Sequence, residues 1–198
     1  MIHVRRQPMS ARAACLGLCS LWLSVSVTTA SQVRSVNLEQ MTARAATIFS
    51  GRCIAVRTEA DPALGHDVIV ARFKVRRAVK GASGPIVTVR MLTGDDAGGF
   101  ADLPRFQTGE EVVLFLYGES ALGLRSPVGL GQGRFRVTPD KQGRQVATND
   151  VGNRNLLREL SPAAHRRLAH VPENADPAER LGPDELLNMV EALAASEP

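Results

Sequence analysis

Cysteine is nearly missing from this chain, and where it does occur excludes more than its number does. Three cysteines occur in 198 residues, and Cys15 and Cys19 both fall within the first thirty. Beyond that segment Cys53 stands alone, so an intramolecular disulfide framework and a multi-cysteine zinc site are both excluded there. The single Trp22 lies in the same opening stretch, which leaves six Phe and one Tyr as the aromatic content of the rest. That is little material for the stacking platforms that hold single-stranded nucleic acid. HExxH, CxxC and Gly-x-Ser-x-Gly are all missing, and with them the recognisable zinc-hydrolase, redox and nucleophile-elbow signatures. An excess of one charge is lacking too. The formal net charge is +4, but the first thirty residues carry three arginines and no acid, so +1 remains beyond them. A basic balance of that size gives no support for a polyanionic partner.

The opening segment has its own pattern. Arg5, Arg6 and Arg12 precede an apolar or small-residue run over residues 13–27, and Thr28, Thr29 and Ala30 come next. This is the layout of a secretory signal peptide over residues 1–30, cleaved after Ala30. The apolar run is shorter than the ~20 residues of a comfortable membrane span. Leu18 is too bulky to precede a lipidated Cys19, and Gln7-Pro8-Met9 continues a twin-arginine signal poorly. An exported protein, periplasmic or extracellular, with no membrane span after cleavage is therefore expected. Cys53 sits in a strand-like context, where burial as a small hydrophobe is the expected fate.

Residues 67–92 organise the rest of the chain. Ile69, Ala71, Phe73 and Val75 alternate with Val68, Val70, Arg72, Lys74 and Arg76, and the second set turns polar halfway along. A Gly/Pro-rich break over residues 80–85 then gives way to Val87, Val89 and Met91 on one side. Period-two alternation around such a break predicts a half-buried antiparallel hairpin. Before it, Asn37 and Gln40 form a capping-box pattern for a short helix burying Leu38, Met41 and Ala45, with Thr42 at the edge of that stripe. Residues 47–58 read as the first strand, with Gly51 marking a bulge, and 59–65 as a loop. Residues 93–109 form a long irregular stretch with Phe100 and Phe106 as anchors, and long loops often carry function. Residues 110–117 are apolar on both faces, which predicts a strand covered on both sides. A weaker strand over 122–128 and a second hairpin over 133–148, turning at 140–143, complete the β pattern. The tail over 151–198 reads as helical, with helices at 153–160, 163–169 and 183–195. Pro183, Asp184 and Glu185 open the last of these, and Leu186, Met189, Val190 and Leu193 line its apolar face. The expected fold is mainly β with helical coverings: a small antiparallel OB-like Greek-key barrel over 31–150 plus C-terminal helices, with an open sandwich as second choice.

With the strands placed, several fragments resemble netrin-like domains, the OB-fold group that includes the tissue inhibitors of metalloproteinases. They are Ala46-Thr47-Ile48-Phe49-Ser50-Gly51, Val79-Lys80-Gly81 and the strand over 109–115, and the likeness spans residues 38–146. The chain is also similar to exported bacterial proteins with the same element order and a strand like Gly131-Gln132-Gly133-Arg134-Phe135-Arg136-Val137. The resemblance implies a fold rather than an activity. The metalloproteinase inhibitors use an N-terminal cysteine against the protease zinc, and this chain would begin at Ser31 with no cysteine before Cys53. That mechanism does not transfer.

The remaining chemistry is sparse. His66 stands beside Asp67 at the mouth of the hairpin, while His165 and His170 are five residues apart, a poor spacing for one helix face. Asp95, Asp96 and Asp102 share the long loop and offer oxygen ligands, yet Asp-Asp-Ala-Gly-Gly is also ordinary turn chemistry. Glu110 and Glu111 are adjacent on a strand and so point to opposite faces, which rules out a carboxylate pair. Gly129-Leu130-Gly131-Gln132-Gly133 precedes a strand, whereas a phosphate-binding loop needs a helix N-terminus after it. No catalytic residue, metal or cofactor is implied. The leading expectation is a non-enzymatic exported binding or accessory module. Its partner would be another exported or envelope protein, not a nucleic acid. The expected contact residues are Arg72, Lys74 and Arg76 with Asp95, Asp96, Phe100 and Asp102. A protease inhibitor working without cysteine and a hydrolase using Asp95, Asp96 or His66 are the alternatives.

Overall fold

A computed structural model describes residues 34–93, 104–168 and 181–195. The segment with the signal-peptide pattern, the loop residues Asp95, Asp96, Phe100 and Asp102, and His170 lie outside them. All described residues fall in one compact unit, Val33–Pro198. It contains helix α1 (Leu38–Arg44), strands β1 (Thr47–Asp61), β2 (His66–Lys80), β3 (Ile86–Leu92), β4 (Glu111–Leu116), β5 (Arg134–Pro139) and β6 (Gln145–Asn149), then helices α2 (Pro162–Arg167) and α3 (Pro183–Ala194). The fold is mainly β with helical elements, as the alternation pattern implies.

The six strands make one antiparallel sheet in the order β3-β2-β1-β4-β5-β6. Its two longest members, β1 and β2, pair along nearly their whole length, with three register shifts: two leave Val79 and Arg76 of β2 as extra residues and one leaves Ile54 of β1. Gly51 sits at one of these shifts. A Cβ there would lie 2.5 Å from the Lys74 carbonyl oxygen, so the close approach of the two strands requires glycine. The expected loop over 59–65 is shorter than the pattern suggests, because Thr58, Glu59, Ala60 and Asp61 continue the ladder opposite Ile69 through His66. Polarity hides this extension in the sequence. The Asp61 carboxylate then caps the turn, accepting the Ala63 amide at 2.9 Å and the Leu64 amide at 3.3 Å.

Both faces of the sheet bury apolar side chains. One face carries Phe49, Cys53, Phe73, Val89, Leu114 and Phe106. Phe73 meets Phe49 and Phe106 edge-on at centroid distances of 5.9 and 5.1 Å. On the opposite face Ile48, Val113, Phe115 and Phe135 pack beneath Met41 of α1 and Val190 of α3. Strand β4 serves both cores, with Val112, Leu114 and Leu116 to one side and Val113 and Phe115 to the other. Its two apolar faces are thus both covered.

Helix α1 starts where its cap predicts: the Asn37 side chain accepts the Gln40 amide at 2.9 Å. The same side chain donates to the Arg158 and Glu159 carbonyls, tying the helix to the chain beyond β6. Two expected elements take other forms. Residues 153–160 make consecutive turns rather than a helix, because Asn153, Asn155 and Glu159 adopt left-handed backbone angles of φ 56, 64 and 52°. A right-handed helix cannot pass through three such residues. Residues 122–128 form no ladder: they join the sheet at an isolated bridge, Leu116 with Pro127, and through the Arg125 amide, which donates to the Arg90 carbonyl of β3 at 2.7 Å. Ser120 Oγ accepts the Leu122 and Leu124 amides there, closing a local turn in place of a ladder. Helix α3 packs onto the sheet and buries Leu187 as well as the expected Leu186, Met189, Val190 and Leu193.

Candidate functional site

Cross-strand register assembles a basic surface on the same face that α1 and α3 cover at its other end. Arg52 of β1 lies opposite Lys74 of β2 and opposite Glu111 of β4. Lys74 in turn lies opposite Ile86 of β3, and Arg72 opposite Thr88. Because side chains two apart on a strand share a face, Arg72 and Lys74 stand together with Arg52 on the solvent side. Arg76 joins them through its guanidinium, which donates to Glu111 Oε2 at 2.6 Å. The other Glu111 oxygen lies 3.8 Å from Arg52 Nε. One carboxylate therefore serves two guanidiniums. Among the described residues Arg72 and Lys74 have no ion-pair partner, so this face keeps a surplus of positive charge.

Two exposed isoleucines border that charge. Register shifts by one residue between Cys53 and Ala55. Ile54 is thereby the extra residue of a bulge, held outward beside Arg72 with 39% of its surface exposed. Ile86, at the start of β3, is 37% exposed on the other side of Lys74. The described phenylalanines Phe49, Phe73, Phe106, Phe115 and Phe135 are all buried, so none of them offers a stacking platform to this surface. The arrangement can do electrostatic and aliphatic recognition on a rigid scaffold.

The sequence pattern brings Arg72, Lys74 and Arg76 to one face, and the structure keeps them there. The pattern misses Arg52, Ile54, Ile86 and Glu111. Their positions depend on register and on a bulge, and alternation within one strand carries neither. Asp95, Asp96, Phe100 and Asp102 lie outside the described residues.

A second charged cluster lies on the opposite face. Arg134 is 4% exposed and lies opposite Leu114. It reaches Glu110 Oε2 at 3.0 Å and Asp150 Oδ1 at 3.2 Å, and its guanidinium carbon lies 5.4 Å from the Phe106 ring centroid. Gly131 makes room for that carboxylate, since a Cβ there would lie 2.8 Å from Asp150 Cβ. The glycine-rich 129–133 segment thus seats an internal ion pair. Adjacent Glu110 and Glu111 do point to opposite faces, one into each cluster. Cys53 is fully buried behind this network, and desolvation, followed by the nearby Glu110 charge, pushes its thiol pKa up. That environment suppresses thiolate chemistry.

His66 lines a cleft of about 390 Å³ at the β1–β2 turn with Ala60, Asp61, Pro62, Gly65 and Asp67. This lining offers no hydroxyl or thiol nucleophile. Asp61 is held below the usual carboxylate range, first by its hydrogen bond from Arg90. Among the described residues no three His, Cys, Asp or Glu side chains gather to hold a metal ion. Also among them, no helix is long and apolar enough to cross a membrane.

Among the described residues these features define a mainly antiparallel-β domain with helical coverings and an exposed cationic stretch, Arg72 to Arg76 with Arg52, on one sheet face. No protein-family model matches the chain, and no curated protein matches it in sequence.

Proposed function

We propose that this chain is an exported, non-enzymatic binding module of the netrin-like OB type, and that its open cationic face contacts another exported or envelope protein. Residues 1–30 direct export and are removed. One observation carries the reading: Arg52, Arg72, Lys74 and Arg76 share one face, where Glu111 is the acid that pairs with two of them. Uncompensated charge gathered on a rigid sheet contributes little to folding, whereas it contributes to partner steering and choice. The two bordering isoleucines supply apolar area that such contacts use.

The test is affinity capture from the native envelope and culture fluid with residues 31–198 as bait. A parallel bait carries Arg72→Glu and Lys74→Glu. One protein recovered by the first bait and lost with the second supports the module and its surface. Equal recovery by both baits rejects the surface, and no specific recovery by either rejects the module. A recovered protease that the bait inhibits stoichiometrically would make inhibition the function of this face.

A further inference from the structure

We infer that the open face takes an extended acidic protein segment carrying aliphatic side chains, lying along β2 between Ile54 and Ile86. The inference rests on the binding-module reading and adds the chemistry of the partner. Glu111 shows how the face receives a carboxylate: its two oxygens lie 2.6 Å from Arg76 Nη2 and 3.8 Å from Arg52 Nε. The next cations along the strand, Lys74 and Arg72, are exposed and hold no such carboxylate among the described residues. Alternate side chains on a strand are ~7 Å apart, and the acids of an extended segment with alternating Glu would repeat at the same spacing. Two such carboxylates can therefore reach Lys74 and Arg72 together.

The borders set the rest of the specificity. Ile54 beside Arg72 and Ile86 opposite Lys74 place an aliphatic side chain on each side of the cationic row. Residues interleaved with the acids, or flanking them, would bury these two side chains on binding. A nucleic acid would draw on aromatic stacking platforms, and the described phenylalanines are all buried elsewhere. Aliphatic borders around unpaired cations match an acidic, aliphatic peptide better. Its recognition is part electrostatic and screened by salt, and part apolar and insensitive to it.

The probe is a fluorescein-labelled ten-residue peptide of alternating Glu and Leu, titrated by anisotropy against the purified exported protein. Comparison probes are the same peptide with Gln for Glu, a phosphatidylglycerol vesicle and a single-stranded oligonucleotide. The Glu/Leu peptide is expected to bind and the Gln/Leu peptide not to. Arg72→Glu with Lys74→Glu should weaken binding by about tenfold or more. Ile54→Ser with Ile86→Ser should weaken it several-fold and remove the component that survives high salt. Far-ultraviolet circular dichroism of each variant confirms that it is folded. Equal binding by wild type and both variants would overturn the inference, as would no binding of the Glu/Leu peptide. Tighter binding of the vesicle or the oligonucleotide would overturn the acidic-peptide class. If envelope capture still depended on Arg72 and Lys74 in those cases, the binding-module reading would stand while this inference fell.

Discussion

The two ends of one sheet face make opposite use of the same strands. At one end Ile48, Val113 and Phe115 are fully buried beneath α1 and α3. Further along β1 and β4, Arg52 and Glu111 occupy the same face in solvent. The boundary falls at Ser50 and Arg77, which lie opposite each other. Arg77 turns toward α3, where it meets Glu191 at 2.7 Å and Asn188 at 2.8 Å. Its neighbour Arg76 turns toward Glu111. Adjacent arginines thus split between holding a helix down and facing outward. Cations as such do not mark the proposed contact surface, which rests on Arg72 and Lys74, exposed and without an ion-pair partner among the described residues.

Substitutions should separate the two ends sharply. Phe115→Ala removes a fully buried ring packed 5.6 Å from Phe135, and should cost about 3–5 kcal/mol in urea unfolding. Arg134→Met keeps a similar stem but takes the cation from the largely buried Glu110 carboxylate, while Asp150 keeps Arg136 at 3.0 Å. Its expected cost is about 3 kcal/mol, with faster modification of Cys53 by a thiol reagent as a second readout.

Glu39 ties α1 to α2 by accepting the Ser161 amide at 2.8 Å and its hydroxyl at 2.7 Å. The bond from the Ser161 amide, then that from its hydroxyl, hold the Glu39 pKa below its ordinary value. A folded pKa below the unfolded one stabilises the protein at pH values above the unfolded pKa. That contribution fades as pH falls through the folded value. Glu39→Gln should therefore lose about 1 kcal/mol at neutral pH and show a flatter acid limb in urea midpoints between about pH 3 and 7. At the other extreme, Arg72→Glu and Lys74→Glu should move stability by no more than about 0.5 kcal/mol.

Much of the covered end is legible in sequence. Val113 and Phe115 alternate with Val112, Leu114 and Leu116 in a run that permits no polar face, and Pro183, Asp184 and Glu185 announce α3 before its apolar stripe. The open end is legible only in part. Arg72, Lys74 and Arg76 follow a period of two, but Arg52 joins them through pairing between strands, which no single segment encodes. Ile54 faces outward because a bulge adds a residue, and nothing in its neighbours requires that bulge. The region after β6 departs from its pattern for a different reason. Asn153 and Asn155 fall within helix-like spacing, yet asparagine tolerates the left-handed conformation they adopt. Arg134 looks like an ordinary strand residue in sequence, because its acids Glu110 and Asp150 lie far from it in the chain.

The division of this face is tested most directly by measuring the urea midpoint and the partner recovery of Arg72→Glu/Lys74→Glu side by side. Loss of the partner at an unchanged midpoint is the expected result. A lowered midpoint with the partner still recovered would contradict it, and would make the open end part of the scaffold.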